Sequence, residues 1–552
     1  MTGNVPFHDH ALEISREFLQ TAVVIDDELF ENSSRIVEPE APSSQPAGRA
    51  VKANLLEPPE PRRLPARPLV EAFAKEGLIC GLVAPRAAND AYDQLLKATK
   101  SADLVVIDWV IGSGEKGQLA RKVIDALIGD VENGKAKRLR AVAIYTGQPD
   151  IVEIVDGLIK HVETTFGGSV ERQGADEFSF SFGPVHIAVY AKEHADPAGT
   201  AAGQVRTPED LPGQLIADFT RLTEGLVSGV ALQSLAALRK DTYRILNVLN
   251  SGLDIGYLGH RSALADPPDA EQHLLEMVAS EIWAVLDDHA ASRVADVAAI
   301  SSWIDDPDNA AKWGANIPVA AGEQPKPLSV AQVQLIVAKG LGRKGSGAAV
   351  SAAGGQQPGA NHLEGRVKKD AHLVFSDDPV RSERSHNEFC MKMNVRTSYG
   401  LTPRMLRSGT IIRSGETYLL CVLPLCDSVR LTPGQSQSFP FLRLKSAVLD
   451  GPVRLVLQGS APGAYLRFAL PINPSNLSVC QFQAGAEWDV RFGPDGEGQL
   501  ILTDAQANKY VWVADLKPEV ARTIGVELGQ QFARLGVDEP EILRLSRPQL
   551  PS

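Results

Sequence analysis

The stretch Thr21-Ala22-Val23-Val24-Ile25-Asp26-Asp27-Glu28 sets an apolar, β-branched run directly against three carboxylates. Such a run reads as a strand buried on both faces, and a carboxylate at its end must be solvated, paired or metal-bound. Leu104-Val105-Val106-Ile107-Asp108 repeats the arrangement. Two further apolar runs end in hydrogen-bonding side chains: Val142–Tyr145 in Thr146-Gly147, and Ile187–Ala191 in Lys192.

Between these runs the pattern alternates. Residues 8–19 read as a lead-in helix, Leu69–Lys75 as a helix, Leu78–Val83 as a strand, and 90–99, 118–127 and 151–162 as helices. Phe178–Phe182 and Val185–Val189 read as a hairpin whose second member completes the sheet. Alternating helices with fully apolar strands predict an α/β fold, a doubly wound five-stranded parallel sheet covered on both faces, over residues 8–200. Residues 31–68, with eight prolines and little apolar content, read as a long insertion.

Beyond the sheet the period becomes helical. Leu215, Phe219, Leu222, Leu226 and Val230, and later Leu275, Val278, Ile282 and Val285, recur at spacings of three and four, which predicts a helical connector over 208–335. A helix from about Leu211 is expected to run on without interruption into this region, which is also where a homodimer could form. Residues 340–375 open with Gly/Ala/Ser-rich sequence and read as a linker. Residues 380–552 read as a small β-rich domain. Its expected strands are Gly409–Arg413, Tyr418–Val422, Val453–Gln458, Ala464–Leu470, Glu487–Phe492 and Gln499–Thr503, with a closing helix Glu519–Leu535.

At 552 residues the chain is too long for one ordinary core, and 44% hydrophobic with 22% charged residues suits a globular protein. No run of 18 apolar residues and no signal peptide is read, so no membrane is expected. Five scattered cysteines (Cys80, Cys390, Cys421, Cys426, Cys480) suit reduced thiols and a cytoplasmic location. The net charge of −13 argues against non-specific nucleic-acid binding. It is uneven: residues 339–413 carry 13 Lys/Arg against 6 Asp/Glu, which reads as a solvated linker and a strand pair. No helix-turn-helix follows the sheet, so a DNA-binding regulator has little support.

The strand-end residues form one chemical set. Asp26, Asp27 and Asp108, ending strands of one sheet, would repel each other without a cation, and oxygen-only ligands favour Mg²⁺. Asp108 is then a nucleophile toward a phosphoryl donor. Lys192 neutralises the transferring oxygens, Thr146 donates a hydrogen bond to one of them, and the Val110 carbonyl is a further candidate metal ligand. At these residues the sequence resembles the response-regulator receiver family. That family has an acid pair after strand one, a phosphoacceptor Asp after strand three, Thr/Ser after strand four and Lys after strand five. Asp26/Asp27, Asp108, Thr146 and Lys192 match in order.

More narrowly, the chain resembles longer "response receiver" proteins with a helical extension and a C-terminal module carrying a Cys-Asp-Ser-Val-Arg-like motif. Here that motif closes Leu-Leu-Cys-Val-Leu-Pro-Leu-Cys-Asp-Ser-Val-Arg, residues 419–430. The resemblance implies a two-component signalling protein that accepts a phosphoryl group on Asp108 from a histidine kinase or a related ATP-binding kinase-like protein. The chain departs from the family in three places. Asp27 and Asp108 lie unusually far apart, Glu193 stands where Pro usually follows the Lys, and Val189 occupies the usual switch-aromatic position, with Tyr190 one residue on and facing the other way.

Other readings stay open. One is a receiver-like binding scaffold, not using phosphorylation, in a bacterial conflict or defence system. A haloacid-dehalogenase-like hydrolase would need Asp at position 110, which is Val. His386, Cys390, Cys421 and Cys426 could be assembled into a zinc site but lack its spacing, and buried strand cysteines are the plainer reading. Asp427 with Arg430 reads as an ion pair, and His260, His273 and His289 as surface or cap histidines.

Overall fold

The computed structural model describes residues 7–30, 64–85, 92–111, 115–132, 139–172, 176–264, 269–306, 328–340, 371–398, 404–429, 431–447, 453–461 and 463–533. The chain divides into two compact units, Met1–Ala310 and Ala311–Ser552. Most of the expected insertion (31–63) and linker (341–370), and Arg430, lie outside the described residues, as does the side chain of Cys426. Among the described residues, no helix is long and apolar enough to cross a membrane.

In the first unit, α1 (Phe7–Phe18) leads into β1 (Thr21–Ile25) and the short β2 (Leu29–Phe30). After 31–63 the chain resumes as β3 (Leu64–Pro65), α2 (Ala66–Lys75), β4 (Ile79–Val83), α3 (Tyr92–Ser101), β5 (Leu104–Ile107) and α4 (Gln118–Glu132). There follow β6 (Arg140–Thr146), α5 (Ile151–Phe166), β7 (Ser179–Phe182) and β8 (Val185–Ala191). The sheet order is β4-β1-β5-β6-β8-β7. Five strands are parallel as expected; the sixth, β7, adds antiparallel to β8, because the hairpin keeps both members in the sheet. Residues 64–68, expected to belong to the insertion, are ordered instead: β3 pairs with β2, and α2 begins at Ala66.

Strand alternation divides the core into two layers. Val105 and Ile107 face a cluster with Val123, Ile124 and Leu127 of α4 and Val155 and Leu158 of α5. Leu104 and Val106 face the opposite cluster with Leu69 and Phe73 of α2. That second layer also takes Leu211, Leu215, Ile216 and Phe219 from α6 (Leu211–Thr223), all fully buried. Burying each such side chain contributes about 1.5–3 kcal/mol. Helix α6 is thus a covering helix of the sheet. The uninterrupted helix is also corrected. Glu224 leaves helical geometry at ψ 115°, Gly225 follows, and a separate α7 (Leu226–Val248) begins.

Among the described residues of this unit, three more α-helices follow: α8 (Asp254–Ala263), α9 (Asp269–Asp288) and α10 (Val297–Asp305). Helix α7 is tied to the sheet by a buried carboxylate. Asp103, immediately before β5, accepts from the Gln20 and Thr21 backbone N–H groups at 3.1 and 3.3 Å and from the Thr21 hydroxyl at 3.2 Å. It also accepts two bonds from the Arg239 guanidinium at 3.1 and 3.0 Å. Arg239 lies over the Phe18 ring at 4.1 Å.

The second unit is β-rich, as expected, with α11 (Val330–Lys339) and α12 (Pro379–Asn394) preceding the sheet. The strands are β9 (Thr410–Ser414), β10 (Thr417–Cys421), β11 (Ser436–Ser446), β12 (Leu455–Gln458), β13 (Tyr465–Ala469), β14 (Leu477–Gln483), β15 (Gly493–Pro494), β16 (Leu500–Thr503) and β17 (Lys509–Asp515). Their order is β12-β13-β11-β10-β9-β17-β16-β15, with β14 paired to β11. A single turn, α13 (Leu425–Ser428), follows β10, and the closing helix α14 (Pro518–Phe532) buries Ala521, Ile524 and Leu528 on one face of the sheet. The long β11 was not expected, because Gln, Ser and Pro440 dilute its apolar residues. Conversely, the expected strand Glu487–Phe492 is irregular, and Trp488 there has φ +63°.

The Asp103 tie makes the first prediction. Asp103→Ala would leave the Arg239 guanidinium and the Thr21 N–H without their shared acceptor, costing about 3 kcal/mol. Hydrogen exchange should then speed up together in β1, β5 and the middle of α7. Faster exchange in α7 alone would show that the helices fold on the sheet without this bond.

Candidate functional site

The chain moves from β1 outward to β4 and then back across β1 to β5. This reversal opens a crevice at the carboxyl ends of β1 and β5, where doubly wound sheets bind ligands. Register brings the acids together: Ile25 pairs with Ile107, and the Asp108 N–H donates to the Ile25 carbonyl at 2.9 Å. Asp26 and Asp108 thus end neighbouring strands, and both are buried.

Lys192, which follows β8, reaches across β6 to both. Its Nζ donates to Asp108 Oδ2 at 2.6 Å and to Asp26 Oδ2 at 2.7 Å, and lies 3.9 Å from Glu28 Oε2. The strand between supplies Thr146, fully buried, whose carbonyl accepts from the Lys192 N–H at 2.8 Å. The Thr146 hydroxyl accepts from the Gln148 N–H at 3.2 Å, which leaves its own proton to be donated. Val110 stays beside Asp108, donating its N–H to Oδ1 at 3.3 Å.

Burial pushes the Asp108 carboxyl up to about 6; the Lys192 ammonium pulls against this and the Asp26 charge adds to it. For Lys192, burial disfavours the ammonium, but the Asp108 and Asp26 carboxylates outweigh it and the pKa is raised.

Carboxylate oxygens of Asp26, Glu28 and Asp108 lie within 4.8 Å of one another. Asp27, expected in this set, is not among them. The Glu28 N–H donates to Asp26 Oδ1 at 2.7 Å, and this tight turn returns Glu28 to the crevice. The signal was present in the acid triplet Asp26-Asp27-Glu28, of which the sequence reading used two. Three carboxylates against one ammonium leave the cluster two charges from neutrality, and its donors are all oxygen. That set fits a divalent hard cation.

Two contacts shape the rim. Lys116 Nζ donates to Gln148 Oε1 at 2.7 Å, joining the segments that follow β5 and β6. His194 packs on Gly147, where a Cβ would lie 2.7 Å from its Nε2. Beneath the site, Gly117 (φ +76°) lies against the Trp109 ring, 2.3 Å from where its Cβ would be, so no other residue fits there. Tyr190 does face away from the site, as expected. Its hydroxyl donates to the buried Asp218 of α6 at 2.5 Å.

Among the described residues, the other candidates do not assemble. Cys421 lies in an apolar cluster, its thiol pushed up to about 12 by burial. His386 Nε2 lies 3.7 Å from Cys390 Sγ, but among the described residues only Asp26, Glu28 and Asp108 form a group with metal-binding spacing. His289 bonds Asp241, and His260 bonds His273.

Searches of curated proteins and of solved structures give no match to the chain. A family model does match: residues 18–197 fit the response receiver domain, and the chain therefore carries a receiver domain whose strand ends hold Asp26, Asp108, Thr146 and Lys192.

Proposed function

We propose that this chain is a signalling protein controlled by phosphorylation of Asp108, with a histidine kinase or a related ATP-binding kinase-like protein as donor and Mg²⁺ as cofactor. The receiver domain points to phosphorylation-type signalling in general. The observation that carries the finer reading is the Lys192 ammonium held between Asp108 and Asp26 at the switch point of the sheet. Asp26, Glu28 and Asp108 would hold the cation, with the Val110 carbonyl as a further ligand and Asp27 at the edge of the set. Bound there, Mg²⁺ would supply charge neutralisation for the phosphoryl oxygens.

An Asp108 carboxylate oxygen forms the new bond to phosphorus while the donor's bond to phosphorus breaks. A phosphohistidine donor leaves as imidazole, which takes up a proton from solvent. Lys192, already 2.6 Å from Asp108, can pass a hydrogen bond to the incoming phosphoryl oxygens, and Thr146 can donate another. The buried α6 helix and the second unit are the candidate output.

Acetyl phosphate with Mg²⁺ should add one phosphoryl group to the full chain, seen as a single mass increment, and Asp108→Asn should add none. Lack of uptake by the wild type, together with no response to beryllofluoride, would favour the scaffold reading instead. Titration calorimetry resolves the metal ligands: Glu28→Gln should weaken Mg²⁺ binding at least tenfold and Asp27→Asn less, and the reverse order would restore the acid pair. Lys192→Met should leave Asp26 and Asp108 facing each other unscreened, costing about 3 kcal/mol at pH 7.5 in chelator. Because Lys192 holds the Asp108 carboxyl below where burial alone would put it, its removal lets Asp108 take up a proton at higher pH, so the deficit should shrink as pH falls toward 6, and Mg²⁺ should restore protection of the β5 amides. A deficit unchanged by both would make Lys192 a packing residue only.

A further inference from the structure

Three arginines of the basic stretch 339–413, namely Arg396, Arg404 and Arg407, gather around the end of β17 in the second unit. The Arg396 N–H donates to the Asp515 carbonyl at 2.8 Å. The Arg407 N–H donates to the Thr410 hydroxyl at 3.2 Å, and that hydroxyl donates to Asp515 Oδ1 at 2.8 Å. The Arg404 guanidinium lies over the Trp512 ring, 5.0 Å from its centroid, a cation–π contact that fixes it.

The loop that carries Arg404 and Arg407 is held on both sides. Leu406 is fully buried, and its N–H donates to the Val490 carbonyl at 2.8 Å. The Gly409 N–H donates to the Cys421 carbonyl, and the Gly409 carbonyl accepts from the Leu516 N–H, both at 2.9 Å. Gly409 has φ +88°, and a Cβ there would lie 2.9 Å from that of Ala521, so the turn requires glycine. Arginines on a loop pinned in this way are preorganised for a ligand.

The charges at this place do not balance. Arg407 is only partly exposed, and a guanidinium taken out of water needs an anion in its place. Yet no carboxylate lies within 4.0 Å of the Arg396, Arg404 or Arg407 guanidinium groups, whereas the neighbouring Arg491 is held by Asp489 at 2.9 Å. Burial holds the Arg407 guanidinium below its usual pKa; the Asp515 carboxylate opposes this, and the Arg396 and Arg404 charges add to it. Three cations thus face one carboxylate, which leaves an excess of two positive charges. Trp512 adds a buried Nε1–H that has no acceptor. A phosphate monoester carries about two negative charges above its second pKa of about 6, and its terminal oxygens accept paired N–H bonds from guanidinium groups. A phosphodiester in a nucleic-acid backbone carries one charge and would leave the cluster half-neutralised.

We infer that Arg396, Arg404 and Arg407 form an oxyanion site in the second unit that takes the terminal phosphate of a phosphate monoester. The site uses no residue of the receiver and does not rest on phosphorylation at Asp108.

Titration calorimetry of the full chain with methyl phosphate tests it, at about pH 7.5 so that the monoester is a dianion, and in chelator so that the acidic crevice of the receiver holds no cation. Methyl phosphate should bind saturably, one per chain, and dimethyl phosphate at least tenfold more weakly. Arg407→Gln should weaken methyl phosphate binding at least tenfold. Lys509→Gln, exposed at the other end of β17, should leave it unchanged. No saturable binding by the wild type, or equal affinity in Arg407→Gln, would overturn the site. An equal loss in Lys509→Gln would also overturn it, by reducing the effect to bulk charge. Dimethyl phosphate binding as tightly as methyl phosphate would overturn the monoester assignment. Should Arg407→Gln misfold by circular dichroism, Arg396→Gln decides: its side chain is exposed, and an unchanged affinity there refutes the cluster.

Discussion

The receiver depends on one ammonium group. Asp26 and Asp108 end adjacent strands in a buried crevice, and Lys192 lies within 2.7 Å of both. Without it, two ionised carboxylates on neighbouring strands would repel in a medium that screens poorly. With it, β1, β5 and β8 are held at their carboxyl ends by a side chain that spans β6. The same bond that stabilises the edge therefore sets the geometry of the nucleophile. Gly147 and Gly117 let His194 and Trp109 close in around it.

What could be read from sequence follows from how local each signal is. The buried parallel strands were legible because Val, Ile and Leu fill both faces, so no alternation needs decoding. The strand-end residues were legible because an apolar run that stops at Asp, Thr or Lys is itself the signal. Glu28 was missed because its approach depends on a turn closed by its own N–H to Asp26, which spacing does not reveal. The break at Gly225 was missed because Leu222 and Leu226 keep a helical interval across it. In the second unit, β11 was hidden because Ser436, Gln437, Ser438 and Pro440 dilute its apolar residues.

The helical region divides the same way. Its first element, α6, has the burial its sequence asks for, with Leu211, Leu215, Ile216 and Phe219 sealed against the sheet. Tyr190 and Asp218 add a directional bond beneath it, so α6 cannot slide on β8 without breaking a buried hydrogen bond. The later helices have apolar sequence without burial. An amphipathic period states that a face must be covered; it does not state by what.

Counting donors separates the structural carboxylates from the chemical one. Asp103 and Asp108 bracket the same four-residue strand, and both are buried. Asp103 accepts from two backbone N–H groups, a hydroxyl and two guanidinium N–H groups. Its lone pairs are filled, and it holds three segments together. Asp108, among the described residues, accepts from the Lys192 ammonium and, at 3.3 Å, from the Val110 N–H. A carboxylate offers about four lone-pair sites, so Asp108 keeps capacity that Asp103 has spent. Burial raises the pKa of a carboxylate so placed, which leaves it a better base than an exposed aspartate. Reactivity at one end of β5 and rigidity at the other thus arise from the same residue type, set apart by how many hydrogen bonds the fold supplies to each.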